Sequence, residues 1–126
     1  MKGQALITLL FFMIIGITVS SAAVVLMYVN AVSGSKQQDG EIAYQAALSG
    51  AENAKIRVLR NPSYTGESNL QIGSGSATIV VTGSGTSVDP YIITSTGTRG
   101  NFVRKVQIQA TYLNNFFSIA SEKEIF

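Results

Sequence analysis

The chain has 126 residues, nine Lys or Arg against seven Asp or Glu, and a formal net charge of +2. It contains neither cysteine nor histidine, which excludes disulfides, Cys/His zinc centres, thiol nucleophiles and a Ser-His-Asp triad. The seven acids, Asp39, Glu41, Glu52, Glu67, Asp89, Glu122 and Glu124, fall in no ligand-spaced loop, so the inventory points away from an enzyme and from any cofactor.

Between Lys2 and Lys36, 33 consecutive residues carry no charge. A spanning helix needs about 20 mostly apolar residues, and residues 5–32 are enough to cross a bilayer. Gly16, Thr18, Ser20 and Ser21 form a weaker patch inside this run. Their hydroxyls can compete for backbone hydrogen bonds and melt the helix locally, or their small size can let helices approach closely.

After Ser33-Gly34-Ser35 the pattern becomes amphipathic. Tyr44, Leu48, Ala51, the aliphatic stem of Lys55 and Val58 recur at steps of three or four and define one helical face. Ile42, Ala46 and Ala47 flank that face, while Glu41, Gln45, Glu52 and Arg60 point away. Gly34 and Gly40 are soft points, each costing about 1 kcal/mol in a helix interior. Lys55, Arg57 and Arg60 fall where the helix dipole favours cations, and Pro62 makes continuation through Asn61 unfavourable. One nearly continuous helix is expected from about Gln4 to about Arg60, roughly 85 Å long.

From Pro62 onward, β-branched runs are punctuated by glycine. Residues 70–72 and 77–82 read as two strands joined by a turn at Gly73-Ser74-Gly75, and residues 83–90 as a loop. Residues 91–98 form a third strand, with a hairpin signal at Arg99-Gly100-Asn101. Residues 102–112 alternate, with Val106, Ile108 and Ala110 on one face and Lys105, Gln107 and Gln109 on the other. Residues 116–122 offer a last strand. The Gly/Ser/Thr stretches lack the lysine and the strand-to-helix context of a phosphate loop, and read as turns. Arg99, Arg104 and Lys105 lack an ordered aromatic pattern, so no specific nucleic-acid site is evident.

The expected fold is α+β: a long N-terminal helix whose second half packs on a four- or five-stranded antiparallel sheet. The boundaries are a leader-like peptide at 1–3, an apolar helix of transmembrane length at 4–35, its amphipathic continuation at 36–61, and the β-sheet head at 62–126. The exposed sheet edge, the 83–90 loop and the apolar tail at 116–126 are candidate outer or subunit–subunit surfaces.

Met1-Lys2-Gly3 followed at once by Gln4-Ala5-Leu6-Ile7-Thr8-Leu9-Leu10-Phe11 resembles the cleavage and assembly signal of type IV pilins and pseudopilins. The stretch from Ala43 to Ala54 is similar to the helix of PilX-like minor pilins. The resemblance covers roughly the first 60 residues. It implies cleavage by prepilin peptidase after Gly3 and methylation of Gln4. It also implies residence in the inner membrane before assembly, and then export by pilus machinery into an extracellular helical filament of identical subunits. Thr8, Phe11, Phe12, Ile15, Gly16, Val24 and Met27 would contribute to the assembly helix, and Tyr44, Leu48, Ala51 and Val58 to head–helix packing. Most type IV pilins carry glutamate at the fifth position after the cut, and here that position is Thr8. Minor pilins and pseudopilins include chains without this glutamate. Adhesion, motility, DNA uptake and secretion all use this architecture, and the fold does not choose among them.

Two rival readings use the same residues. In an ordinary secretory signal, Ser20-Ser21-Ala22 would be the cleavage site, but the apolar run continues through residues 24–29. The other is a single-span membrane-anchored or secreted β-rich binding protein, oriented by Lys2.

Overall fold

A computed structural model describes the backbone of residues 2–125 and side chains from Gly3 to Ile125; Met1, in the leader-like peptide expected at 1–3, and Phe126, in the tail expected as a surface, lie outside the described residues. Helix α1 spans Lys2–Arg60. Five strands follow: β1 (Gly66–Ile72), β2 (Gly75–Thr82), β3 (Tyr91–Arg99), β4 (Phe102–Leu113) and β5 (Phe116–Ile125). The chain divides into two compact units, Met1–Gln37 and Gln38–Phe126.

In the first unit, α1 is helical without interruption. Gly16, Thr18, Ser20 and Ser21 do not melt it. Thr18 Oγ1 donates to Ile15 O, Ser20 Oγ to Gly16 O and Ser21 Oγ to Ile17 O, each at 2.8 Å. Each hydroxyl bonds back to a carbonyl three or four residues earlier while the helix stays continuous, so local melting, one of the two readings of this patch, does not occur.

The second unit is a meander in the order β1-β2-β3-β4-β5, antiparallel throughout, with the 38–60 stretch of α1 on one face. Three of the four strand connections are two residues long, and residues 83–90 form the longer β2–β3 loop. Asn114 and Asn115 join β4 to β5 with φ of 50° and 68°, the pair of positive angles that a two-residue turn with the correct twist requires and that Asn tolerates. The helix ends where expected: Asn61 N donates to Arg57 O at 2.8 Å, Ser63 N to Asn61 Oδ1 at 3.1 Å, and Pro62 follows.

The inward sheet face carries Ala77, Ile79 and Val81 of β2, Tyr91, Ile93 and Ser95 of β3, and Val106, Ile108 and Ala110 of β4. The alternation expected for β4 is present. Two strands are longer than the sequence pattern indicated. β1 starts at Gly66, because Glu67 pairs opposite Ile79 and its carboxylate meets Arg57 at 3.2 Å. β5 continues to Ile125, because Glu122 pairs opposite Ile108 and Glu124 opposite Val106, with an Arg104–Glu124 ion pair.

The helical face needs a correction. Tyr44 and Leu48 were expected at its centre, with Ala46 and Ala47 beside them. Instead Ala43, Ala46, Ala47, Ala51, Ala54 and Val58 are buried, while Tyr44 and Leu48 lie half-buried at the edge of the core. Close approach is the reason. A Cβ added at Gly97 of β3 would sit 2.0 Å from Ala43 O and 2.4 Å from Ala47 N, so helix backbone rests almost directly on strand backbone. At that separation only small side chains fit the middle, and large ones are displaced to the rim. Gly50 makes the reciprocal fit from the helix, with Ser95 and Ala77 filling the space its side chain would take.

Candidate assembly helix and head surfaces

The two residues of the expected processing site, Gly3 and Gln4, both lie within α1 and are exposed. Four residues on, Thr8 Oγ1 donates to Gln4 O at 2.9 Å. A threonine placed this way presents no unsatisfied donor to an apolar environment. It carries no charge, so this position offers no carboxylate.

Every large apolar side chain from Leu6 to Val29 is exposed, among them Phe11, Phe12 (70 %), Ile15, Val24 and Met27 (72 %). Gly16 has open space around it. Ile7, Thr8, Phe11, Phe12 and Ile15 border a shallow apolar hollow of about 250 Å³. Burying one Val, Leu, Ile or Phe side chain stabilises by about 1.5–3 kcal/mol, so keeping this stretch in water would cost on the order of tens of kcal/mol. The stretch is long and apolar enough to cross a membrane, and none of its most apolar window is buried inside the chain. Helices apolar on every side are generally found buried in a large core or spanning a membrane.

In the head, Ala51 and Val58 are buried, and Tyr44 and Leu48 pack at the core edge. The Arg104 guanidinium lies 5.9 Å from the Tyr44 ring centroid and also meets Glu124, tying α1, β4 and β5 together. On the opposite flank, Arg57 lies 5.7 Å from the Tyr64 ring centroid and pairs with Glu67. Burial, then the nearby Glu67 carboxylate, raises the Tyr64 phenol above its ordinary pKa, with Arg57 opposing. No group of three or more acids that could hold a metal ion occurs among the described residues.

No protein-family model, curated protein or solved structure matches this chain.

The tail expected as an outer surface forms the edge strand β5. Phe117 packs on the core, whereas Phe116 (78 %) and Ile119 stay exposed. The 83–90 loop joins β2 to β3 and presents Val88 to solvent, and Gly85 O accepts from Tyr112 N at 2.7 Å. Pattern reading did not identify the cavity of about 680 Å³ beside the last turns of α1, bordered by Asn53, Ile56, Arg57, Arg60, Asn61 and Tyr64. The only local signal was the excess of cations near the helix end, which the helix dipole explains equally well.

Proposed function

We propose that this chain is the structural subunit of a type IV pilus-like extracellular filament, polymerising through the apolar stretch of α1. The observation that carries the reading is that stretch itself: uncharged between Lys2 and Lys36, exposed from Gly3 to Ala31, and part of the same helix that docks on the β-sheet head. A helix apolar on every side is as well accommodated among copies of itself as in lipid, provided close packing replaces the lipid contacts. The membrane is then its location before assembly and the filament core its location afterwards. Hydroxyls bonded back to the helix at Thr8, Thr18, Ser20 and Ser21 suit both environments.

The resemblance at the amino end supplies the processing step. Prepilin peptidase removes Met1-Lys2-Gly3, Gln4 is methylated, and assembly machinery draws the subunit from the inner membrane. Terminal mass spectrometry of material sheared from cells tests this. The reading requires chain in the sheared fraction with methylated Gln4 at its start. A mature start at Ala23, or chain confined to the membrane fraction, contradicts it; confinement to the membrane identifies a single-span anchored binding protein instead.

A further inference from the structure

An open filament requires heterologous contacts, in which one surface of a subunit meets a different surface of the next. The head carries two candidate surfaces, each with one charge that no ion pair among the described residues takes up, and the two charges are opposite in sign. Among the described residues, the ion pairs are Lys55–Glu52, Arg57–Glu67, Arg99–Asp39 and Arg104–Glu124. Of the charges left over, Arg60 borders the cavity at the end of α1, on the flank beside β1 where Arg57 meets Tyr64 and Glu67. Glu122 lies on β5, the opposite edge of the sheet, exposed and opposite Ile108, and therefore on the helix-bearing face. Each charge has an exposed apolar neighbour: Ile56 (54 %) one helical turn before Arg60, and Ile119 (44 %) on β5 near Glu122.

The receiving side is concave and polar. Asn53 and Asn61 border it, and Arg57, which is already paired, holds Asn53 Oδ1 at 2.9 Å from its Nε. Arg60 is the one guanidinium there without a carboxylate among the described residues. The presenting side is a sheet edge whose outer backbone groups have no strand beside them among the described residues, with Glu122 on that strand. Charged residues on an edge discourage indiscriminate strand pairing, while a partner with a facing cation accepts them.

We infer that the β5 edge of one copy, with Glu122 and Ile119, docks into the Arg60–Ile56 cavity of the next copy. The inference rests on the filament reading and names the head contact that reading lacks. The occupant is a second copy of this chain because the two surfaces are complementary in sign and both carry apolar contact. They also lie on opposite flanks, as an open head-to-tail series demands.

The experiment uses the full chain in cells. Arg60→Glu and Glu122→Arg each lower the yield of sheared filaments about fivefold, the effect of roughly 1 kcal/mol at an exposed charge pair. Combining the two reversals restores the yield. Lys123→Glu, a charge reversal of the same size and the same sign as Arg60→Glu, next to Glu122 but on the opposite sheet face, leaves filaments intact. Because the chain has no cysteine, an Arg60→Cys/Glu122→Cys double variant treated with a short bismaleimide reports the contact without relying on charge. It yields a ladder of linked subunits, and either cysteine alone does not. Filaments that form without a ladder, and without rescue by the double reversal, overturn this interface and leave the filament reading standing. Absence of wild-type filaments overturns the filament reading and the interface with it.

Discussion

Residues 3–37 and 38–60 belong to one helix and solve opposite problems. The first stretch carries Leu, Ile, Phe and Met and buries none of them within the chain; the second buries mainly alanine. Side-chain size explains the contrast. Ala43, Ala47 and Gly50 let helix backbone come within contact distance of Gly97 and Ser95, so the head gains its packing from proximity. Large side chains in the first stretch project in all directions, which suits surroundings that can adapt on every side. The head is therefore satisfied internally, and the apolar stretch is not.

The sharpest way to break this comparison is to enlarge the closest contact. Gly97→Ala places a Cβ against the Ala43 carbonyl and the Ala47 amide, where helix backbone cannot yield without sliding. A loss of at least about 3 kcal/mol is expected, measured by denaturant unfolding of the full chain in detergent. Ile108→Ala opens a cavity at a fully buried position and should cost about 3 kcal/mol in the same assay. The matching change in the other stretch, Ile14→Ala, should leave head unfolding unchanged to within about 0.5 kcal/mol.

A smaller effect is expected at the rim. Arg104→Ala removes both the contact with Tyr44 and the ion pair with Glu124, which should cost about 1 kcal/mol. A rise in amide exchange over the wild-type rate that is larger in β5 than in β2 would register it. Smallest of all is the alkaline limb. The folded-state pKa of Tyr64 is raised, so the folded head keeps that proton more tightly than the unfolded chain. Its contribution is complete below about pH 10, the ordinary tyrosine value, and is lost as pH rises through the folded pKa. Tyr64→Phe should flatten that part of the stability–pH curve and leave the neutral region in place.

The legibility of the sequence follows the same division. The uncharged run, the helix end before Pro62 and the alternation of Val106, Ile108 and Ala110 are large local signals, and each element lies where its pattern indicates. The centre of the helical face was not legible, because periodicity weights Tyr44 and Leu48 above Ala43 and Ala47. Nothing local to the helix records that a glycine 50 residues downstream of Ala47 will face it. Polar ends of β1 and β5 were hidden for a related reason: Glu67 and Glu124 look like loop residues until Arg57 and Arg104 are brought beside them. The cavity at Arg60 depends on Tyr64 turning back over α1, which is again a tertiary event.

The most direct test of the division between the two stretches is a charge in the apolar one. Ile15→Lys and Val24→Glu should each abolish sheared filaments while the head unfolds in detergent with the wild-type midpoint. Filaments of normal yield from either variant would contradict assembly through α1.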